Sequence, residues 1–417
     1  MRRDSERDVL ARLRAKRHPF RHPADYVVVV LLVVASLVTW FVLYQRSDIH
    51  NTTLVTGPAN VTVPSAPTTF PPSLAEVWEE PSAATPAPVV AGPTVVTGDG
   101  GTVTGRDPLT GDQRWRYTRD LPLCTVSTAW SKAIAVYHRS NCNEVTELDQ
   151  ATGARGAQRN GDAPLGTRLV SDGIYLTATG TDLLDTWRSD LVQTDEYGAV
   201  PDFVNPNVQP RVGCTYGSVA ASPGLVGVLE RCPGDPGDRL SVFRSAPKSS
   251  DTPDVVFSSL VGDHGARLIA MNDEYTAVVV PGPTRVAVFN TQNGNQVASY
   301  PVDLPASDLQ GNPPGLVVPT SQGTGAVYWY TGSSTIALSS LDFHPQWTVE
   351  GTLGAGTVFA GRYLVPVPNA IDVLDEATGA KVGQAGVNRH GYTGTVAMAT
   401  LGPMVFEQRG KILAALR

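Results

Sequence analysis

From Tyr26 to Tyr44 the chain runs YVVVVLLVVASLVTWFVLY, nineteen residues without a charge. At ~1.5 Å per residue this spans ~28 Å, the thickness of a bilayer's hydrocarbon core. It predicts one transmembrane helix, with Tyr26, Trp40 and Tyr44 placed where amphipathic rings favour the headgroup layer. Residues 47–72 then lose all hydrophobic period and turn to Ser, Thr, Pro and Asn, which predicts an extended tether. Beyond residue 73 short apolar runs return again and again, bounded by Gly, Asn and Asp, as in PVVAG, TVVTG, VFAG and YLVPV. That rhythm predicts many short strands and no long helix. The chain thus divides into a basic arm over 1–25, a transmembrane helix over 26–44, a tether over 45–72 and an all-β domain over 73–417.

Four of the strand boundaries align: VTGRDPLTG (Val103–Gly111), VTELDQATG (Val145–Gly153), VAVFNTQNG (Val286–Gly294) and IDVLDEATG (Ile371–Gly379). Their turn residues Asp107, Asp149, Asn290 and Asp375 stand 42, 141 and 85 apart, which is one, three and two steps of about 45. Such a period marks a repeat protein. Each unit reads as a strand, an Asx turn, a Gly able to take φ > 0, and a second strand. Degenerate units are expected at TDEYG (Thr194–Gly198), SVFRSAPKSSD (Ser241–Asp251) and ALSSLDFHPQW (Ala337–Trp347). Four strands per ~45 residues is the rhythm of a propeller blade. The C-terminal end supplies only three strands, whereas LAEVWEE (Leu74–Glu80) supplies one at the other end, 37 residues before the matching Trp115. If that segment docks as the outer strand of the last blade, the ring closes without a bare edge. The expected fold is an all-β, eight-bladed β-propeller, with seven blades as the alternative, behind one transmembrane helix.

These units resemble the quinoprotein-like, or PQQ-like, propeller repeat family, whose blades carry a strand, Asp-x-x-Thr-Gly and a Trp. Gly101–Tyr117 (GTVTGRDPLTGDQRWRY) matches the whole pattern. The second and seventh units match the turn without the Trp, and the third, fourth and sixth are degenerate. The resemblance spans Leu74 to Arg417 and implies a fold more sharply than a function, since the same repeat serves alcohol dehydrogenases, the propeller lipoprotein of the outer-membrane β-barrel assembly machinery and other envelope proteins.

Charge adds a topology. Residues 1–25 hold eight basic side chains against four acidic ones, and the remainder holds 24 against 35. Positive charge ahead of the helix predicts a cytoplasmic N-terminus, a plasma-membrane location and an extracytoplasmic propeller. An acidic outer domain without a basic stripe excludes nucleic acid as a partner. Only five of the 32 basic residues are Lys, which hints at GC-rich coding of an actinobacterial kind.

The four cysteines fall at 124, 142, 214 and 232, with both gaps 18. Cys124 and Cys214 open the first strands of blades two and four. Cys142 and Cys232 occupy the turns after their second strands, at the same face. The predicted bridges are Cys124–Cys142 and Cys214–Cys232, which implies an oxidising compartment.

Recognisable chemistry is scarce. The resemblance implies that a quinoprotein dehydrogenase would carry a disulfide between adjacent cysteines and acidic ligands for Ca²⁺; no Cys-Cys pair is present, so neither PQQ nor calcium is expected, and no metal site is assigned. G-x-S-x-G and H-E-x-x-H are absent. GDGGTVTG (Gly98–Gly105) reads as a hairpin. Between blades, Asp263, His264, Arg389, His390, Tyr392, Phe203 and Arg211 make a mixed charged and aromatic set suited to a partner-binding rim. The long loops Ala199–Gly213 and Asp303–Gly315 are Pro- and Asn-rich recognition elements. No catalytic residue is assigned. The sequence therefore reads as a membrane-anchored platform for envelope proteins or glycans; the alternative is a quinoprotein-type dehydrogenase or other envelope enzyme with its site in the propeller channel.

Overall fold

The computed structural model describes residues 23–45, 47, 50–71, 73–201, 208–311 and 313–417. One helix, α1 (Pro23–Gln45), is 23 residues of almost purely apolar sequence with no residue buried, long and apolar enough to cross a membrane. The second compact unit, Leu54–Arg417, holds eight sheets, seven of four strands and one of five, each built on four antiparallel strands. They are the eight blades of a β-propeller: 89–118, 123–160, 169–198, 215–262, 267–301, 320–350, 357–386, and a last blade built from 396–416 and 76–81.

Burial follows position within the blade. Second and third strands are covered by a neighbouring blade on both faces, so Leu183–Trp187, Ala326–Tyr330 and Ala370–Leu374 are buried at every residue. Fourth strands meet solvent on one side and alternate: Pro345–Glu350 and Gln296–Pro301 expose every second side chain. The core is accordingly a ring of inter-blade clusters, such as Leu268, Val278 and Ala287 of blade 5 against Leu229, Leu240 and Val242 of blade 4.

The ring closes as the sequence predicts. Glu76–Pro81 pairs antiparallel with Ile412–Leu416 as the outer strand of blade 8. The backbone bonds run both ways between Ala75 and Arg417, at 2.8 and 2.9 Å. Trp78 lies 5.8 Å from the Phe406 ring and its Nε1 donates to Pro108 O of blade 1 at 3.1 Å. Glu76 and Glu80 add ion pairs to Arg409 at 2.6 Å and Arg106 at 2.9 Å.

The Trp positions explain the repeat's Gly. Trp115 of blade 1 donates to Gln150 O of blade 2 at 2.8 Å, and Trp347 of blade 6 donates to Glu376 O of blade 7 at 3.2 Å. Each indole covers the turn glycine of the next blade: a Cβ on Gly111, Gly153 or Gly379 would lie within 2.9 Å of Trp78, Trp115 or Trp347, and all three have φ between +70 and +78°. The turn thus needs glycine both for its backbone conformation and for the ring above it. In blade 6 Ser339 stands in for the Asp and Phe343, at φ +56°, for the Gly; the bond from Phe343 N to Ser339 O at 2.9 Å keeps the same turn.

Two expectations change. TDEYG is the outer strand of blade 3, within Gln193–Gly198, and its turn is Arg188–Leu191, closed by a bond from Leu191 N to Arg188 O at 2.8 Å. The strand pattern survived there while the Asp-x-x-Thr-Gly signal did not. The tether is also largely docked. Thr53–Val55 adds a fifth strand outside blade 1, and Gly57 N donates to Thr152 O of blade 2 at 2.9 Å. Further on, Val63 and Pro64 lie against Gly402 of blade 8 and Phe70 meets Phe359 of blade 7 edge-on at 6.4 Å. This strap runs over the turns that join first to second and third to fourth strands, here termed the turn face; the inter-blade loops leave from the opposite, loop face.

Both disulfides form as predicted, Cys124–Cys142 within blade 2 and Cys214–Cys232 within blade 4, with Cα atoms 5.9 and 4.1 Å apart.

Candidate functional site

The loop face is held down by buried charges at the crossings between blades. Arg389 is 2% exposed, donates to Glu407 at 2.7 and 2.9 Å and to Val367 O and Ala370 O at 2.7 and 3.0 Å. It is a staple between blades 7 and 8 and not part of an accessible rim. Arg211 likewise reaches inward, to Glu230 at 2.7 Å, Tyr197 Oη at 2.7 Å and Ser241 at 3.0 Å. Burial and the adjacent Glu230 push the Tyr197 hydroxyl well above its ordinary value. These partners follow from chemistry: a guanidinium is too costly to bury without a carboxylate, and a bidentate pair also fixes the loop's direction.

What remains outward is smaller than the predicted set. Asp263 and His264 are exposed between blades 4 and 5, with His264 Nδ1 3.1 Å from Asp238. Asp238 itself is buried and accepts Gly265 N and Ala266 N at 2.8 and 2.9 Å, which fixes that crossing. His390 is exposed, its Nε2 3.5 Å from Glu76 of the closing strand. Tyr392 is half-buried and donates to Thr395 O at 2.8 Å. Phe203 lies outside the described residues. The structure therefore places the predicted rim at separate crossings, Arg211 between blades 3 and 4, Asp263 and His264 between 4 and 5, and Arg389, His390 and Tyr392 between 7 and 8.

The loop Asp303–Gly315 behaves differently from the expected recognition element. Asp308 is buried and accepts Thr331 Oγ1 at 2.5 Å and Ser333 Oγ at 2.8 Å, while Arg267 donates to Asp308 O and Gln310 O. The chain then dips inward. Gly315 N and Leu316 N donate to Tyr216 O and Gly217 O, Val219 N returns a bond to Leu316 O at 2.8 Å, and Thr179 Oγ1 reaches Gly315 O at 2.8 Å. Leu316 forms a parallel bridge with Ser218, on the free inner edge of blade 4. This segment is a plug that occupies the channel beside blades 3 and 4.

Beside the plug remains a channel cavity of about 340 Å³, lined by Leu169, Val318, Ala355, Val396 and Met398 and by the hydroxyls of Ser127, Thr320 and Thr395. Arg168 is its one charged lining residue. Calcium takes six to eight oxygen ligands with carboxylates among them, and this lining offers none, so the donor set does not fit that ion. Among the described residues no three His, Cys, Asp or Glu side chains converge as a metal site. The two disulfides belong to the blades and do not line the cavity.

Residues 73–177, from the closing strand into blade 3, match the PQQ_2 family model, described as outer membrane protein assembly factor BamB. Over that stretch the repeat is similar to the PQQ-like type. No curated protein matches the chain. Among solved structures, the computationally designed Ika8 protein is similar at 12% identity and a TM-score of 0.53, over 83% of this chain and 99% of that one. The quinohemoprotein alcohol dehydrogenase from Comamonas testosteroni is similar at 11% identity and 0.52, over 83% and 76%. Dihydro-heme d1 dehydrogenase NirN, solved in complex with DHE, follows at 12% and 0.52, over 82% and 80%. At such identities the likeness shows the propeller fold alone.

Sequence reasoning missed Arg168 and the plug. A single Arg before a weak strand carries no pattern, and the Gly311–Pro319 run reads as a surface loop because its pairing partner, Ser218, is about a hundred residues away.

Proposed function

We propose that the protein is a membrane-anchored scaffold whose loop face recruits cell-envelope partners, proteins or glycans. The observation that carries this reading is the stapling of the loop roots: Arg211 on Glu230, Arg389 on Glu407 and Asp238 on two backbone amides fix the crossings that present Asp263, His264 and His390 outward. Rigid loop roots lower the ordering cost of association. The helix α1 serves as the anchor, with a cytoplasmic N-terminus and an extracytoplasmic propeller at the plasma membrane, in keeping with the charge excess of residues 1–25. The test is crosslinking in intact cells followed by affinity capture. A reproducible envelope partner, lost when the Ala199–Gly213 loop is replaced, supports the scaffold; a capture pattern that ignores that loop and the Asp263–His264 pair overturns it.

The channel cavity favours a second reading, a small-molecule site or an envelope enzyme, because Arg168 sets one cation in a wall that is otherwise uncharged, with a few hydroxyls among apolar side chains. Turnover of a small substrate by the purified chain, with or without added PQQ and Ca²⁺, and its loss in Arg168→Gln, establishes that reading instead.

A further inference from the structure

The turn face carries a shallow, open depression of about 550 Å³. Its walls are the first turns of blades 3, 4 and 5 together with Gln322 and the Ser340–Leu341 turn of blade 6. The walls are fixed from behind. Asp172 accepts Ile174 N at 2.7 Å and Gly224 N at 2.9 Å, joining the turns of blades 3 and 4. Asn272 donates to Ser340 O and Leu341 O at 2.9 and 3.1 Å, joining blades 5 and 6. The strap formed by residues 57–71 crosses blades 7 and 8 on this same face and leaves the depression open.

Two features face outward from these walls. The first is Leu341, in the blade 6 turn, which is 80% exposed. In blade 1 the equivalent turn residue, Leu109, is instead packed against the cluster of Trp78 and Phe406. The second feature is the exposed pair Asp273 and Glu274 in the same lining as Leu341, and no Lys, Arg or His belongs to that lining. An exposed apolar side chain on a rigid turn, in one lining with the carboxylates of Asp273 and Glu274, has the makeup of a recognition anchor with a charged edge.

We propose that this depression docks a segment of a partner protein that presents an apolar side chain flanked by lysine or arginine. Charge selects the occupant. The lining carboxylates attract a cationic segment and repel an anionic membrane surface. The site is on the face opposite the predicted rim and does not rest on the loop-face reading, so each can fail alone.

The test uses the full chain in nanodiscs of zwitterionic lipid and, as probe, a fluorescein-labelled Lys-Leu-Lys-Leu-Lys-Leu peptide read by anisotropy, with Glu-Leu-Glu-Leu-Glu-Leu as the control. The Lys-Leu peptide is expected to bind and the Glu-Leu peptide to fail. Leu341→Ser and the double variant Asp273→Asn/Glu274→Gln should each weaken binding about tenfold, while Val382→Ser, an exposed apolar site on the outer strand of blade 7, leaves it unchanged. All these side chains are exposed, so unchanged melting curves are expected and separate a docking loss from misfolding. Absence of binding to the wild-type chain, or equal binding to Leu341→Ser, overturns the proposal; the second result marks plain cation attraction to an acidic surface.

Discussion

Two carboxyls in blade 3 show how burial alone sets a titration. Asp195 is fully covered, with neither oxygen hydrogen-bonded. Burial first, then the neighbouring Glu196 and Asp185, push it up to about 8. Asp185 rises to about 7 by burial, which Arg159, 3.8 Å away, only partly opposes. A folded-state value above the unfolded one (~3.9) means that these groups bind protons more tightly when folded. Their stabilising contribution is complete below about pH 4 and is lost as pH rises toward 7 and 8. The expected outcome is a melting temperature that falls across that window, and an Asp195→Asn variant that flattens the fall and is more stable than wild type at pH 8 by a few kcal/mol. A parallel pair of pH–melting curves checks it. At the same scale, Gly153→Ala forces a Cβ to within 2.6 Å of the Trp115 ring at φ +70°. It should cost ~2–4 kcal/mol in a denaturant melt, because a left-handed Ala is strained and the Trp115 ring of the neighbouring blade must also move.

At the scale of the element, the closing strand completes a blade whose other strands lie at the far end of the chain. Deleting Leu74–Glu80 removes Trp78 from Phe406 and bares the edge of Ile412–Leu416. The expected result is aggregation or loss of a cooperative melt; an unchanged transition would mean that the ring holds without its clasp. The disulfides act more locally. Each closes a loop of 18 residues, worth ~3 kcal/mol in the chain-entropy model, so Cys124→Ser/Cys142→Ser should lower stability by about that amount and leave blade 4 bridged, as mass mapping without reductant would show. This is also where the sequence was most legible. Asp107, Asp149, Asn290 and Asp375 place four turns because the Asx side chain and the following Gly are local requirements of the backbone. Blade 3 was misread because its turn uses Leu191 at φ +59° where four of the repeats have Gly111, Gly153, Gly294 and Gly379. The rim was only half legible, since Arg389 and Arg211 look like surface charges until Glu407 and Glu230, from other strands, are brought beneath them.

Across the whole molecule, the segment between the apolar helix and the propeller is the feature least visible to composition. Ser, Thr and Pro give no periodic signal, so residues 45–72 read as a free spacer, whereas from Thr53 onward they follow the ring. The strap bonds to blade 2 at Gly57, meets blade 8 at Val63 and Pro64 and blade 7 at Phe70, then becomes the outer strand of blade 8. It therefore crosses the seam where the first and last blades meet, in addition to the clasp that closes it. Apolar contacts such as Phe70 on Phe359 contribute roughly 25 cal/mol per Å² buried, and a seam held at two places resists opening better than one held at a single strand. Residues 51–417 and residues 73–417 both keep the clasp, but only the longer chain keeps the strap. Residues 51–417 are expected to melt several degrees higher, and limited proteolysis of the shorter chain should cut first near the bared turns of blades 7 and 8. Equal melting temperatures and equal cleavage would show that the strap rides on the ring without holding it, and the segment would then return to the role of a spacer.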